Sequence, residues 1–223
     1  MRTLIQNGMI YDGEGNPPFA GDILIHGEQI AAIGKFSEHV SDITLDASGK
    51  KVTPGFIDSN INKDHSLAFF EDRFLEEHVL CGVTTAIGGN CGFSLAPLFP
   101  ETLELVRRAY ANRGVNVGWH SMKELFSCIE RRGIGINFGT LVGYASLRYG
   151  ITQGRSHDLT KREEALCSEL VRTTLQGGAL GVSFGPLFGY NTLLPMHEMS
   201  AMGKLLQDFK KTCTIHLASY ETE

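Results

Sequence analysis

The stretch VTPGFIDSNINKDHS, residues 52–66, decides the fold. Its apolar part ends at Phe56-Ile57, closes in Asp58, and runs into an N-x-N pair, Asn60 and Asn62. An apolar run that ends abruptly in polar residues suits a strand of a buried parallel sheet, where the carboxyl end opens to solvent and presents side chains. Two residues spaced i, i+2 in extended chain point the same way. Such a slot suits a pair of metal ligands, yet asparagine is neutral and hard and a poor zinc donor.

The texture differs on the two sides of this stretch. From Arg2 to about Lys51 short β-like runs alternate with turns, and Gly27-Glu28 joins two of them as a hairpin. This part predicts a small antiparallel sheet, too thin to bury much alone. From Val52 onward β and α patterns alternate, with strands predicted at 52–58, 83–88, 135–142, 179–184 and 212–217. Helices are predicted at 67–81, 101–112, 122–132, 161–177 and 197–210. Thr160 followed by Glu163 forms a capping box, Gly177-Gly178 a C-cap, and Pro100 a first helical turn. Strand-helix alternation implies parallel strands covered by helices. The long connections 88–100 and 143–160 are expected to be site-forming loops. The expected class is α/β: about five βα units of a TIM-type (β/α)8 barrel in residues 52–223, preceded by a β-sandwich segment in residues 1–51. Five strands do not close an eight-stranded barrel.

Bulk properties narrow the function. The chain has 223 residues, 42% hydrophobic and 20% charged, with a net charge of −5 and no basic cluster. That argues against a nucleic-acid partner. No apolar run approaches the ~20 residues that span a bilayer, so no membrane partner is expected. Five irregularly spaced cysteines read as reduced thiols of a cytoplasmic protein.

In parallel βα folds function collects at the carboxyl ends of strands. Those positions hold Asp58, Asn60 and Asn62, then Asn90-Cys91, then Tyr144, Ser183 and His216. Tyr144, Ser183 and Ser219 are the candidates for substrate contact. Cys91 lies within Gly89-Asn90-Cys91-Gly92, where flexible backbone could turn it toward a pocket; a small buried apolar residue is the commoner fate of a free cysteine. His216 reads as a ligand or as a hydrogen-bonded core histidine. Asp64 and His65 read as solvated loop charges, and Trp119 and His120 as packing or capping residues. Ser183 and Ser146 lack an elbow motif that would make either a nucleophile.

The segments NGMIYDGEGNPPFAGDILIHGEQIAAIG, VTPGFID, GVTTAIGGNCGFSLAPL, TLVGYASLR, GALGVSFG and TIHLASYE together resemble the amidohydrolase superfamily. Within it they resemble most the D-aminoacylase, or N-acyl-D-amino-acid deacylase, group. The resemblance runs from about residue 3 to 223, and the NCG block is its most specific part. It implies a zinc hydrolase that removes the acyl group from N-acyl-D-amino acids, with a β-sandwich beside the barrel. It implies one tight zinc site on Cys91 and His216, with a third ligand after a sixth strand that this sequence does not contain. A second, weaker metal would use an H-x-H pair, here replaced by Asn60 and Asn62, so at most one zinc is expected. The catalytic aspartate of the resemblance lies beyond Glu223. Its H-M-R-S reads His216-Leu217-Ala218-Ser219, without the substrate-gripping arginine, and its glycine-histidine reads Gly143-Tyr144. Two functions follow from this pattern. One is a deacylase polypeptide that needs a C-terminal half or self-assembly; the other is an inactive fragment that binds or assembles.

Overall fold

The computed structural model describes residues 1–61, 67–109, 114–185 and 194–217. Two compact units divide the chain, Met1–Gly55 and Phe56–Glu223. The first is a five-stranded sheet of β1 (Arg2–Ile10), β2 (Phe19–His26), β3 (Gln29–Gly34), β4 (Ile43–Asp46) and β5 (Lys51–Val52). β1–β2 and β2–β3 are antiparallel, and Gly27 at φ 62° makes the predicted hairpin turn. β4 and β5, however, pair with β1 in parallel, which corrects the expectation of a purely antiparallel sheet. The chain between β3 and β4 crosses over instead of turning back, so alternation alone could not reveal its direction. Buried Asp22 fastens a register shift in β1: it accepts bonds from the Asn7 and Phe36 amides and from Lys35 Nζ. The Asn7 amide, first among these, holds its carboxyl below the usual range.

The second unit alternates strands and helices. Its strands are β6 (Phe56–Asp58), β7 (Val83–Gly88), β8 (Asn137–Thr140), β9 (Val142–Gly143), β10 (Gly181–Phe184) and β11 (Thr212–Ile215). β6–β7–β8 and β9–β10–β11 form two parallel sets in chain order. Only Leu141 separates β8 from β9, so residues 137–143 are one pass that pairs with β7 on one side and β10 on the other. The Leu141 amide donates to the Gly88 carbonyl and the Leu180 amide to that of Thr140, closing the join.

Among the described residues seven helices pack around these strands: α1 (Ala68–Glu71), α2 (Glu76–Leu80), α3 (Pro100–Ala109), α4 (Met122–Arg132), α5 (Tyr144–Thr152), α6 (Lys161–Gln176) and α7 (Met196–Phe209). Capping boxes at Ser121/Glu124 and Thr160/Glu163 start α4 and α6. Leu125, Leu147, Val171, Val182 and Phe184 belong to one apolar core. Trp119 stacks on Phe70 at 5.2 Å and donates through Nε1 to the Leu95 carbonyl, while the His120 amide bonds Glu124.

Two elements differ from expectation. The helix predicted over 67–81 breaks in two, because Asp72 caps the Leu75 amide and Leu75 takes a left-handed φ of 48°. The connection 143–160 contains α5, which is buried nearly all round and so carries no amphipathic period to read. Among the described residues no helix is long and apolar enough to cross a membrane.

Candidate metal centre

β7 ends at Gly88, and the next four residues curl back sharply. Gly89, Cys91 and Gly92 take φ of 75°, 56° and 78°, all left-handed. Glycine does this freely, and at Gly89 a Cβ would collide with the Leu141 carbonyl. Cys91 has no such freedom; a left-handed backbone at an L-residue costs about 1–2 kcal/mol. The curl places its Sγ 3.2 Å from His216 Nδ1, at the end of β11. His216 is held through its own amide, which donates to the Phe184 carbonyl at 2.9 Å.

These two side chains open into a cavity of about 390 Å³ that Ser59, Asn60, Asn90, Thr214, Ile215 and Leu217 also line. Asn60 reaches it through a tight turn in which its amide donates to Asp58 Oδ1 at 3.0 Å. The separation of Cys91 and His216 lies within the ~4 Å that two ligands on one tetrahedral zinc require. A thiol and an imidazole nitrogen are the donor types that zinc prefers. Among the described residues no cluster of three or more His, Cys, Asp or Glu forms around a metal-sized space. The five cysteines form no disulfide.

The other candidates fall elsewhere. Asn62, Asp64, His65 and Ser219 lie outside the described residues. Tyr144 is buried between α5, α6 and α7, where its hydroxyl donates to Glu198 Oε2 at 2.9 Å. Burial raises its pKa, and burial likewise pushes the neighbouring Cys167 thiol up to about 12. Glu198 also pairs with buried Arg148 at 3.1 Å, which bonds onward to the His157 carbonyl. Tyr144 therefore does not line the cavity of Cys91 and His216. Neither does Ser183, which is 0% exposed. Its hydroxyl accepts from the Gly92 amide at 3.0 Å and donates to the Gly89 carbonyl. The structure thus places both side chains in buried hydrogen bonds and outside the lining of this cavity. Tyr144 begins α5 and packs its ring 5.5 Å from that of Phe184, and Ser183 is covered by the loop after β7.

The sequence reading placed Asn90 among the strand-end positions without giving it a role, and passed over Thr214 as a site-builder. The Asn90 side-chain amide donates to the carbonyls of Ser59 and Ile87, and its oxygen accepts from Thr214 Oγ1 at 3.2 Å. The available signal was spacing: Thr214 and His216 sit i, i+2 and share a strand face.

No family model matches the chain. It is 32% identical over 203 residues to the N-acyl-D-glutamate deacylase of Alcaligenes xylosoxydans xylosoxydans, covering 91% of this chain and 41% of that protein. It is 30% identical over 189 residues to the D-aminoacylase of the same organism, covering 83% and 38%. A crystal structure of N-acyl-D-glutamate deacylase from Bordetella bronchiseptica, complexed with zinc and a phosphonate inhibitor, superposes with a TM-score of 0.85 at 28% identity, over 97% of this chain and 45% of that one. A crystal structure of D-aminoacylase, described as defining a novel subset of amidohydrolases, gives 0.83 at 25% identity over the same shares. The chain thus spans about two fifths of the length of the curated relatives it matches. Over that span it is a homologue of the D-aminoacylase and N-acyl-D-amino-acid deacylase group of the amidohydrolase superfamily.

Proposed function

We propose that this chain carries part of a zinc-dependent amidohydrolase that cleaves the linear amide of N-acyl-D-amino acids. The observation that carries the reading is the 3.2 Å approach of Cys91 Sγ to His216 Nδ1 at two strand ends. Parallel strands paired in chain order, and the superposition on deacylase structures, support reading Phe56–Glu223 as the first five βα units of a (β/α)8 barrel. The first unit is then one part of the accompanying β-sandwich.

Cys91 and His216 would hold the zinc, with further ligands from outside the described residues. When bound, zinc polarises the amide carbonyl and lowers the pKa of water toward neutrality. Asn60 is uncharged and adds no second metal site of useful strength. Neither Asn60 nor Asn90 can take up a proton, so the general base lies outside this cavity's described lining. The cavity volume of about 390 Å³ is in the range of small-molecule sites.

Elemental analysis of the purified chain beside Cys91→Ala tests this. Near-stoichiometric zinc that disappears in the variant is the expected result. No zinc in either protein overturns it. That outcome would favour the second reading, a catalytically inactive assembly fragment.

A further inference from the structure

We propose that Ser183 and Asn90 are positioning residues that present Cys91 to the metal, one from each side of the loop. The inference rests on Cys91 and His216 being ligands. Cys91 holds a left-handed backbone that costs about 1–2 kcal/mol, and its neighbours hold it there. On one side the single Ser183 hydroxyl ties both flanks of the Asn90-Cys91 tip. It donates to the Gly89 carbonyl and accepts from the Gly92 amide, stapling the turn across its base. Ser183 lies on β10, the strand between the pass at residues 137–143 and β11, so the staple anchors the tip to the middle of that set.

On the other side Asn90 uses its whole side chain. Its amide group reaches the Ser59 and Ile87 carbonyls, after β6 and within β7. Its oxygen takes the Thr214 hydroxyl, two residues before His216 on β11. Asn90 therefore links the loop that carries the thiol to the strand that carries the imidazole. Both residues are buried, Ser183 fully and Asn90 at 5% exposure, and the hydrogen-bonding groups of each are engaged by protein. Neither is arranged to bind substrate strongly. Their chemistry is that of outer groups that orient a metal's ligands, whose removal typically costs 10- to 100-fold in metal affinity.

Cobalt(II) titration of the full chain tests this, read by thiolate-to-metal charge-transfer absorption. Ser183→Ala should weaken cobalt affinity by about 10- to 100-fold. Thr174→Ala removes another hydroxyl of a buried residue, one that bonds within α6, and should lower the melting temperature without changing affinity. Thr214→Val, a near-isosteric change at an edge strand, should weaken affinity by about 2- to 10-fold through Asn90, and carries the test if Ser183→Ala does not fold. Affinity in the folded variants within about twofold of wild type would overturn the proposal while leaving the metal pair standing. A wild-type chain without a charge-transfer band that Cys91→Ala abolishes would instead sink the metal pair itself, and the proposal with it.

Discussion

Cys91 spends backbone energy to aim its thiol. At φ 56° a Cβ is unfavourable, and glycine would sit there with no steric cost. Cys91→Gly should therefore be more stable than Cys91→Ala by about 1 kcal/mol, the steric relief being reduced by glycine's greater unfolded-state entropy. Neither variant should retain zinc. Denaturant unfolding of the metal-free proteins checks this, and an alanine variant equal to or more stable than the glycine one would refute it. Such opposition between stability and function is expected where a side chain is needed in a conformation its backbone resists. At this scale Cys91 and His216 were legible as strand-end candidates, and their reading as a pair came from the family resemblance; the structure brings the two side chains within 3.2 Å of each other. The roles of Ser183 and Asn90 were not legible. They depend on which carbonyls a curled loop brings within reach, and no spacing rule encodes that.

α6 was legible because its start and stop signals are local: Thr160, Glu163 and Gly177 act within a turn of the helix end. The Thr160 amide, then its hydroxyl, then His157 hold the Glu163 carboxyl down at about 2. A depressed carboxylate pKa stabilises the fold above the unfolded value, about 4.3, and that contribution is lost as pH falls toward about 2. Thermal melts between pH 5 and 2 should show wild type losing stability more steeply than Glu163→Gln; parallel slopes would contradict the assignment. α5 was illegible for the opposite reason. Tyr144, Ala145, Leu147, Arg148 and Gly150 are all buried, so no polar face marks the period, and Gly150 is a weak helix former retained where the Phe99 ring leaves no room for a Cβ. The split of α1 from α2 likewise turns on one side-chain cap, Asp72 to Leu75, inside a stretch whose apolar spacing reads as continuous.

Among the described residues the parallel strands of the second unit have two outer members, β6 and β11, and both carry exposed apolar side chains: Phe56, Ile57, Ile215 and, just beyond β11, Leu217. Strand edges with apolar neighbours are templates for association. The chain alone should therefore self-associate as concentration rises, and Ile57→Lys with Ile215→Lys should reduce this. Sedimentation velocity reads the outcome directly, and a wild-type monomer throughout the micromolar range would rule it out. Strand order has a further consequence, in time instead of space. Every described strand of this unit pairs only with the one made just before or just after it, and residues 137–143 bridge the earlier set to the later. Each unit leaving the ribosome therefore finds its docking surface already made, and the growing chain need not wait for a distant segment. The thiol is synthesised early and its imidazole partner 125 positions later. The Cys91–His216 pair is thus completed only after every described strand of this unit has been made.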